Sequence, residues 1–164
     1  MKRVRLALGC VWLACATSLA SAEPKGADAL RVAADGDELS LPRLAARAGD
    51  DVVLSALRAK DDPLLQLAAI RAAPHIVDHD QALLPLAEIA AGRDPELAPL
   101  AAWKLLRIAQ ELVREHLDVK EIVPSDLAPA KAVLTALQAD ESARRDIRVC
   151  AATASHLLAT LGVP

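Results

Sequence analysis

The feature that most constrains this chain is an internal similarity between successive stretches of its sequence. Each copy has an apolar run, a polar turn and a second run rich in Leu and Ala. The paired runs are 52–57 with 65–71, 84–89 with 97–104 and, more weakly, 133–137 with 147–152. The turns Asp62-Pro63 and Asp94-Pro95 recur about 32 residues apart, and the Leu-Ala-Ala stretches match with one residue more. Such a period is typical of folds built from repeated supersecondary units.

Each copy predicts a helix, a short turn and a second helix. In the first helix of copy one, Val53, Leu54 and Leu57 recur at helical spacing and form a one-sided apolar stripe. An Asp followed by Pro is a strong helix start, because Asp caps the helix and Pro suits its first position. The chain has no Phe, no Tyr and only two Trp, which favours closely packed helices over strands. The predicted fold class is therefore all-α.

The order of Leu-rich helix, Asp-Pro turn and Ala-rich second helix resembles the HEAT-repeat family of α-solenoids over roughly residues 50–161. The resemblance implies a short right-handed α-solenoid of about three HEAT-like hairpins. A short helix at 42–48, ended by Gly49, is expected to cap the stack. The rival architecture is a closed helical bundle around one core. The repeat period favours the solenoid.

The third copy carries the Ile-Arg pair of the family best, as Ile147-Arg148. The resemblance implies that this Arg pairs with a turn aspartate, for which Asp140 or Asp146 is the candidate. The first two copies have Gln66 and Ala98 at the Arg position, so we expect them to depend more on apolar packing.

The N-terminus has the three regions of a secretory signal peptide in order. A basic start precedes an apolar run at 6–16, and the small residues Ala20-Ser21-Ala22 form a cleavage site. We therefore predict a signal peptide at 1–22, a flexible lead-in at 23–38 that can include a helical turn near 29–33, and a repeat domain at 39–164. The expected location is the periplasm or the medium, with no membrane insertion after cleavage.

Two other interpretations of the N-terminus stay open. The apolar run can belong to a first helix that anchors the chain to a membrane. Leu13-Ala14-Cys15 resembles part of a lipoprotein signal, which would anchor the protein through Cys15.

Charge and cysteine content narrow the function classes. The whole chain has a formal net charge of −3, and loss of Lys2, Arg3 and Arg5 with the signal makes it more negative. This argues against a nucleic-acid binder, which normally has a basic face. Only Cys150 lies outside the signal, so the mature chain has no internal disulfide.

Basic residues on the second helices suggest a binding surface. Arg71 and Lys104 align between copies and, with Arg107, predict a short basic strip that suits an acidic protein or peptide. Charge reversal at Arg71 and Lys104 is expected to weaken binding without shifting the melting temperature. Trp103 aligns with Ile70, which favours a core position for Trp103 over an exposed anchor.

No catalytic, cofactor-binding or metal site is predicted. The densest polar cluster is His75, Asp78, His79 and Asp80, but a helix end and an inter-repeat loop account for it without a metal. Cys150 has no activating base at helical spacing and is expected to be a small buried residue.

The sequence therefore predicts a monomeric, non-catalytic protein-binding or scaffold module of the cell envelope. Two alternatives from other classes remain. Some HEAT-like relatives act as lyases on bound chromophores, so the resemblance also implies a lyase-type enzyme. A structural protein that associates through the ends of its stack is the other.

Overall fold

The computed structural model describes the backbone of residues 25–118 and 124–164, and the side chains of these residues except 35, 116–118 and 124–125. The predicted signal peptide and Cys15 lie outside the described residues. Within them the fold is all-helical, as predicted, and contains no strand. The helices are α1 (Gly26–Asp35), α2 (Leu41–Ala48), α3 (Asp50–Leu57), α4 (Pro63–Ala72), α5 (Leu83–Ala90), α6 (Leu97–Asp118), α7 (Pro124–Ala139) and α8 (Arg145–Thr160). Two 3-10 turns, Ala73–His75 and His79–Ala82, lie between α4 and α5.

Three pairs of consecutive helices correspond to the three sequence copies. Helix α3 packs on α4, α5 on α6, and α7 on α8. The same kinds of helix also contact across pairs: α5 touches both α3 and α7, and α6 touches both α4 and α8. Helix α6 continues to Asp118, and α7 begins at Pro124.

Part of the lead-in expected at 23–38 is a regular helix. Residues 26–35 form α1, and its Ala29, Leu30 and Ala33 are fully buried. Helix α1 packs against α4 and α2. The flanking glycines and aspartates suggested a loop, but the spacing of these three apolar residues gives α1 a face that α4 covers.

Aspartates at the turns of the three helix pairs hold the chain in place. The carboxylate of Asp62 accepts the backbone N–H of Leu65 at 3.0 Å and caps α4, with Pro63 in its first position as predicted. The carboxylate of Asp94 accepts the N–H groups of Glu96 and Leu97 at 2.9 and 2.8 Å. Helix α6 begins only at Leu97, so Pro95 lies in the turn before it and not at the first helical position.

The third turn, between α7 and α8, also contains an aspartate that accepts hydrogen bonds from a residue that follows it. The carboxylate of Asp140 accepts both the N–H and the hydroxyl of Ser142, at 2.9 and 2.6 Å. Hydrogen bonds to the ionised form lower the pKa of a carboxyl group. They lower the pKa of Asp62, through the Leu65 N–H first, that of Asp94, through the Leu97 N–H first, and that of Asp140, through the Ser142 hydroxyl first.

The core consists almost entirely of Leu and Ala. The largest fully buried side chains come from each of the α-helices α1 to α8: Leu30, Leu41, Val53, Leu57, Ile70, Leu83, Leu86, Leu105, Ile108, Leu112, Leu134 and Leu158. Fully buried alanines lie between them, including Ala68 and Ala69 on α4 and Ala101 on α6. Alanine side chains at these contacts allow the helices to pack closely.

The lowered pKa values of the three turn aspartates lead to a prediction of how the free energy of unfolding falls at acid pH, which is called the acid limit below. Their folded pKa lies below the ordinary 3.8, so their contribution is complete above that pH and is lost as pH falls through the folded values. Replacing Asp62, Asp94 and Asp140 together by Asn keeps an acceptor oxygen at each turn but removes the titratable carboxyl groups. We expect the variant to lose less of its stability than wild type between pH 6 and pH 3 in urea unfolding.

Asp51→Asn and Asp61→Asn, at exposed positions, serve as controls and should leave the acid limit as in wild type. An acid limit that is equally steep in the triple variant would mean that other carboxylates set it.

Candidate functional site

The predicted basic strip is largely engaged inside the protein. Lys104 on α6 is 4% exposed, and its Nζ lies 3.4 and 3.3 Å from the two carboxylate oxygens of Glu38. Arg71 at the end of α4 donates hydrogen bonds to the carbonyls of Ala34 and Gly36, and its guanidinium is 4.0 Å from Glu38. The two cations do lie together, but the chain's own segment after α1 covers them. Arg71 and Lys104 therefore do not form an open basic strip in the structure.

The hydrogen bonds of Arg71 are explained by the carbonyl groups at the C-terminal end of α1. The last carbonyls of a helix lack partners within the helix and carry partial negative charge, so a cation beside them is stabilising. Arg71 meets that need for α1. The expectation that charge reversal at Arg71 and Lys104 spares stability is therefore corrected, because reversal would break the cap and the ion pair.

Arg107 is the member of the predicted surface that faces solvent. Its side chain is half-exposed, and its Nε donates to Glu111 Oε1 at 3.2 Å, one turn further along α6. It lines a shallow groove of about 270 Å³ along α6. The residues lining this groove, called the α6 groove below, are Trp103, Leu106, Arg107, Gln110, Glu111 and Arg114.

Trp103 is exposed to 60%, so the prediction that it belongs to the core is wrong. The reason is a one-residue error in aligning α4 with α6. The buried residues of the two helices coincide at the offset of the Asp turns, which matches Ile70 with Ala102 and Arg71 with Trp103. One residue turns an α-helix by 100°, which moves Trp103 out of the packed face.

The same offset matches Lys104 with the buried Ala72. Arg71 and Lys104 are thus not equivalent repeat positions, although their side chains meet at Glu38. Lys104 reaches Glu38 from a position that is otherwise part of the packed face of α6.

Two histidines lie beside this region. His79 is buried, its Nδ1 is 3.2 Å from the Ile76 carbonyl, and its Nε2 is 3.5 Å from Glu115 Oε2. His75 is half-buried, and its pKa is lowered by burial first and then by the charges of Arg107 and Lys104. A neutral His75 thus tolerates the surrounding cations.

The rest of the predicted polar cluster is dispersed. The backbone N–H groups of Val77 and Asp78 donate to the Asp50 carboxylate at 2.9 and 3.1 Å, which ties this loop to the start of α3. Asp80 lies in the second 3-10 turn. Among the described residues, no group of three or more His, Cys, Asp or Glu side chains is arranged to hold a metal ion.

Cys150 is half-buried on α8. Burial, and then the charge of Asp146, raise the pKa of its thiol, which disfavours the thiolate. Of the two partners that the resemblance offers for Arg148, Asp140 is the one whose pKa is lowered by the Arg148 charge, whereas Asp146 pairs with Arg144 at 2.8 Å.

Sequence reasoning missed Glu38, Gln110 and Arg114. Glu38 lay in the segment interpreted as a lead-in. Gln110 and Arg114 follow Trp103 at helical spacing, so an exposed Trp103 would have indicated them.

Comparison with protein-family models, with curated proteins and with solved structures finds no match for this chain. No α-helix among the described residues has both the length and the apolar character needed to cross a membrane.

The role of Arg71 generates a prediction. Arg71→Ala removes the partner of two helix-terminal carbonyls, and we expect a loss of about 1.5–3 kcal/mol in the free energy of unfolding, as for hydrogen bonds from charged groups. The α1 amides should exchange hydrogen faster. Urea unfolding and hydrogen exchange followed by mass spectrometry measure both effects.

Arg145→Ala, at an exposed position of α8, is the control and should alter neither quantity. Unchanged exchange in α1 of the Arg71→Ala variant would show that Arg71 does not hold this helix.

Proposed function

We propose that this chain is a short right-handed α-solenoid of three HEAT-like hairpins that acts as a non-catalytic protein-binding or scaffold module. The contacts of α5 with α3 and α7, and of α6 with α4 and α8, support this arrangement, because equivalent helices of successive hairpins stack in a solenoid. Helix α1 adds a further neighbour to α4 at the N-terminal end. Solenoids commonly use such surfaces to bind other proteins.

The observation that carries the proposal is the exposure of Trp103. It is the one aromatic side chain of the described residues, and it projects into solvent instead of filling the core. Exposed Trp beside Arg is the composition of interface hot spots. The α6 groove combines this indole with Leu106 and with the guanidinium groups of Arg107 and Arg114.

The chemistry of the α6 groove suits a protein segment that offers an apolar side chain and a carboxylate. Trp103 and Leu106 supply the apolar contact. Arg107 is already paired with Glu111, so Arg114 is the cation at the groove left for an acidic residue. The proposed partner is acidic, as the sequence predicts, but the cation that contacts its carboxylate lies further along α6 than Lys104.

Trp103→Ala should remove a partner's main contact while leaving the core intact. We expect a loss of at least about 2 kcal/mol in binding, which is roughly 30-fold in Kd. The wild type, Trp103→Ala and Leu64→Ala chains are used as baits on a cell-envelope extract, and the Kd of each retained protein is measured. Leu64 is an exposed apolar residue on α4 and provides the matched control.

Partners retained by wild type and by Leu64→Ala but lost by Trp103→Ala support the proposal. Partners that bind all three baits equally would contradict it. Light scattering on the unbound chain separates this monomeric binder from the alternative of a self-associating structural protein.

We further propose export to the periplasm or the medium, with cleavage after Ala22. The basic start, apolar run and small-residue site in order are what support this. N-terminal sequencing of the chain from the exported fraction should begin at Glu23. Recovery of a chain lipidated at Cys15 would favour the anchored alternative.

A further inference from the structure

The segment after α1 places the Glu38 carboxylate beside two cations, Lys104 on α6 and Arg71 on α4. Glu38 lies within 3.4 Å of Lys104 Nζ on α6 and 4.0 Å from the Arg71 guanidinium on α4. The partners differ sharply in exposure, because the Lys104 side chain is 5% exposed and that of Glu38 is 60% exposed. A buried ammonium group needs a counter-charge, whereas an exposed carboxylate loses little by returning to water.

The loop that carries Glu38 does not need this ion pair for its own conformation. Ser40 donates its N–H to the Asp37 carboxylate at 2.8 Å and its hydroxyl to the Asp37 carbonyl at 2.9 Å. Arg71 separately holds the carbonyls of Ala34 and Gly36. The Glu38 side chain can therefore leave Lys104 while the loop stays folded.

The surroundings of Lys104 favour an anion. Arg71 lies on α4, Arg107 on α6 and His75 in the 3-10 turn after α4, and Glu111 and Glu38 are the acidic groups that act on the pKa of His75. Glu111 forms an ion pair with Arg107. Burial is the largest cause of the lowered pKa of His75, and the cations Arg107 and Lys104 act in the same direction, against Glu111 and Glu38.

We propose that Lys104 and Arg71 form a carboxylate-binding site that Glu38 fills in the free protein and that an acidic side chain of a bound protein segment takes over. This inference rests on the proposed binding function, since it names the chemistry and the regulation of the same region of α6. Glu38 acts as an internal competitor for the partner's carboxylate. The basic strip predicted from Arg71 and Lys104 is then a real site that the chain itself occupies.

The test uses the full chain and fluorescein-labelled hexaglutamate, with hexaglutamine as the neutral peptide, followed by fluorescence anisotropy. Glu38→Gln removes the competitor but keeps the shape of the side chain. We expect this variant to bind hexaglutamate about two- to fivefold more tightly than wild type, because the half-exposed Glu38 carboxylate no longer competes for Lys104. Glu96→Gln, at an exposed turn position, removes the same charge elsewhere and should bind as wild type.

A second variant ties the effect to Lys104. In Glu38→Gln/Lys104→Met, an apolar side chain of similar length fills the buried position, and the gain in affinity should disappear. Equal affinity of wild type and Glu38→Gln for hexaglutamate overturns the proposal. A gain that persists without Lys104 overturns it as well, since net charge would then explain the binding.

The two proposals fail in different ways. If Trp103→Ala loses a partner but Glu38→Gln does not change hexaglutamate binding, the α6 groove binds proteins without a carboxylate exchange at Lys104. If Glu38→Gln strengthens hexaglutamate binding but no partner depends on Trp103, the carboxylate site stands and the proposed use of the α6 groove is wrong.

Discussion

Close packing of alanine-bearing helix faces is the constraint from which the rest of this structure follows. The described residues have one aromatic side chain, so the core must be filled by Leu, Ile and Val with alanines at the helix contacts. Ala68, Ala69 and Ala101 are fully buried on α4 and α6, and their small side chains leave little space for a bulky neighbour. Interiors are packed densely, and an indole would force such an interface apart. Trp103 therefore lies outside the core because of how the core is made.

The same constraint brings charged groups together at the edge of the core. Each helix buries a narrow face, so residues just beside that face are close to the neighbouring helix without being fully covered. Arg71 leaves α4 at such a position, whereas Lys104 leaves the packed face of α6, and both reach the segment after α1. The ion pair with Glu38 is thus a consequence of helix spacing as much as of sequence.

Short-range sequence patterns predicted most of the helices, whereas the features that they did not predict depend on tertiary contacts. Asp62 with Pro63 predicted the start of α4, because capping depends only on neighbouring residues. Helix α1 was predicted as no more than a helical turn in a flexible lead-in, because its ten residues pack on α4 and α2 and short helices owe little to their own propensity. The position of Trp103 was predicted wrongly because a shift of one residue rotates every side chain by 100°. Glu38 could not be predicted as a partner of Lys104, since 66 residues separate them along the chain.

The geometry of α6 explains why its groove and the Lys104 site can serve one ligand. Trp103 and Lys104 are consecutive, so their side chains leave the helix about 100° apart. Arg107 follows them by four and three residues and lies between the two directions, one turn away. A bound segment that places an apolar side chain on Trp103 can therefore bring a carboxylate one or two residues away onto Lys104. A ligand that offers only a carboxylate would have to displace Glu38 without the contact at Trp103, so the internal carboxylate would select for partners that engage both.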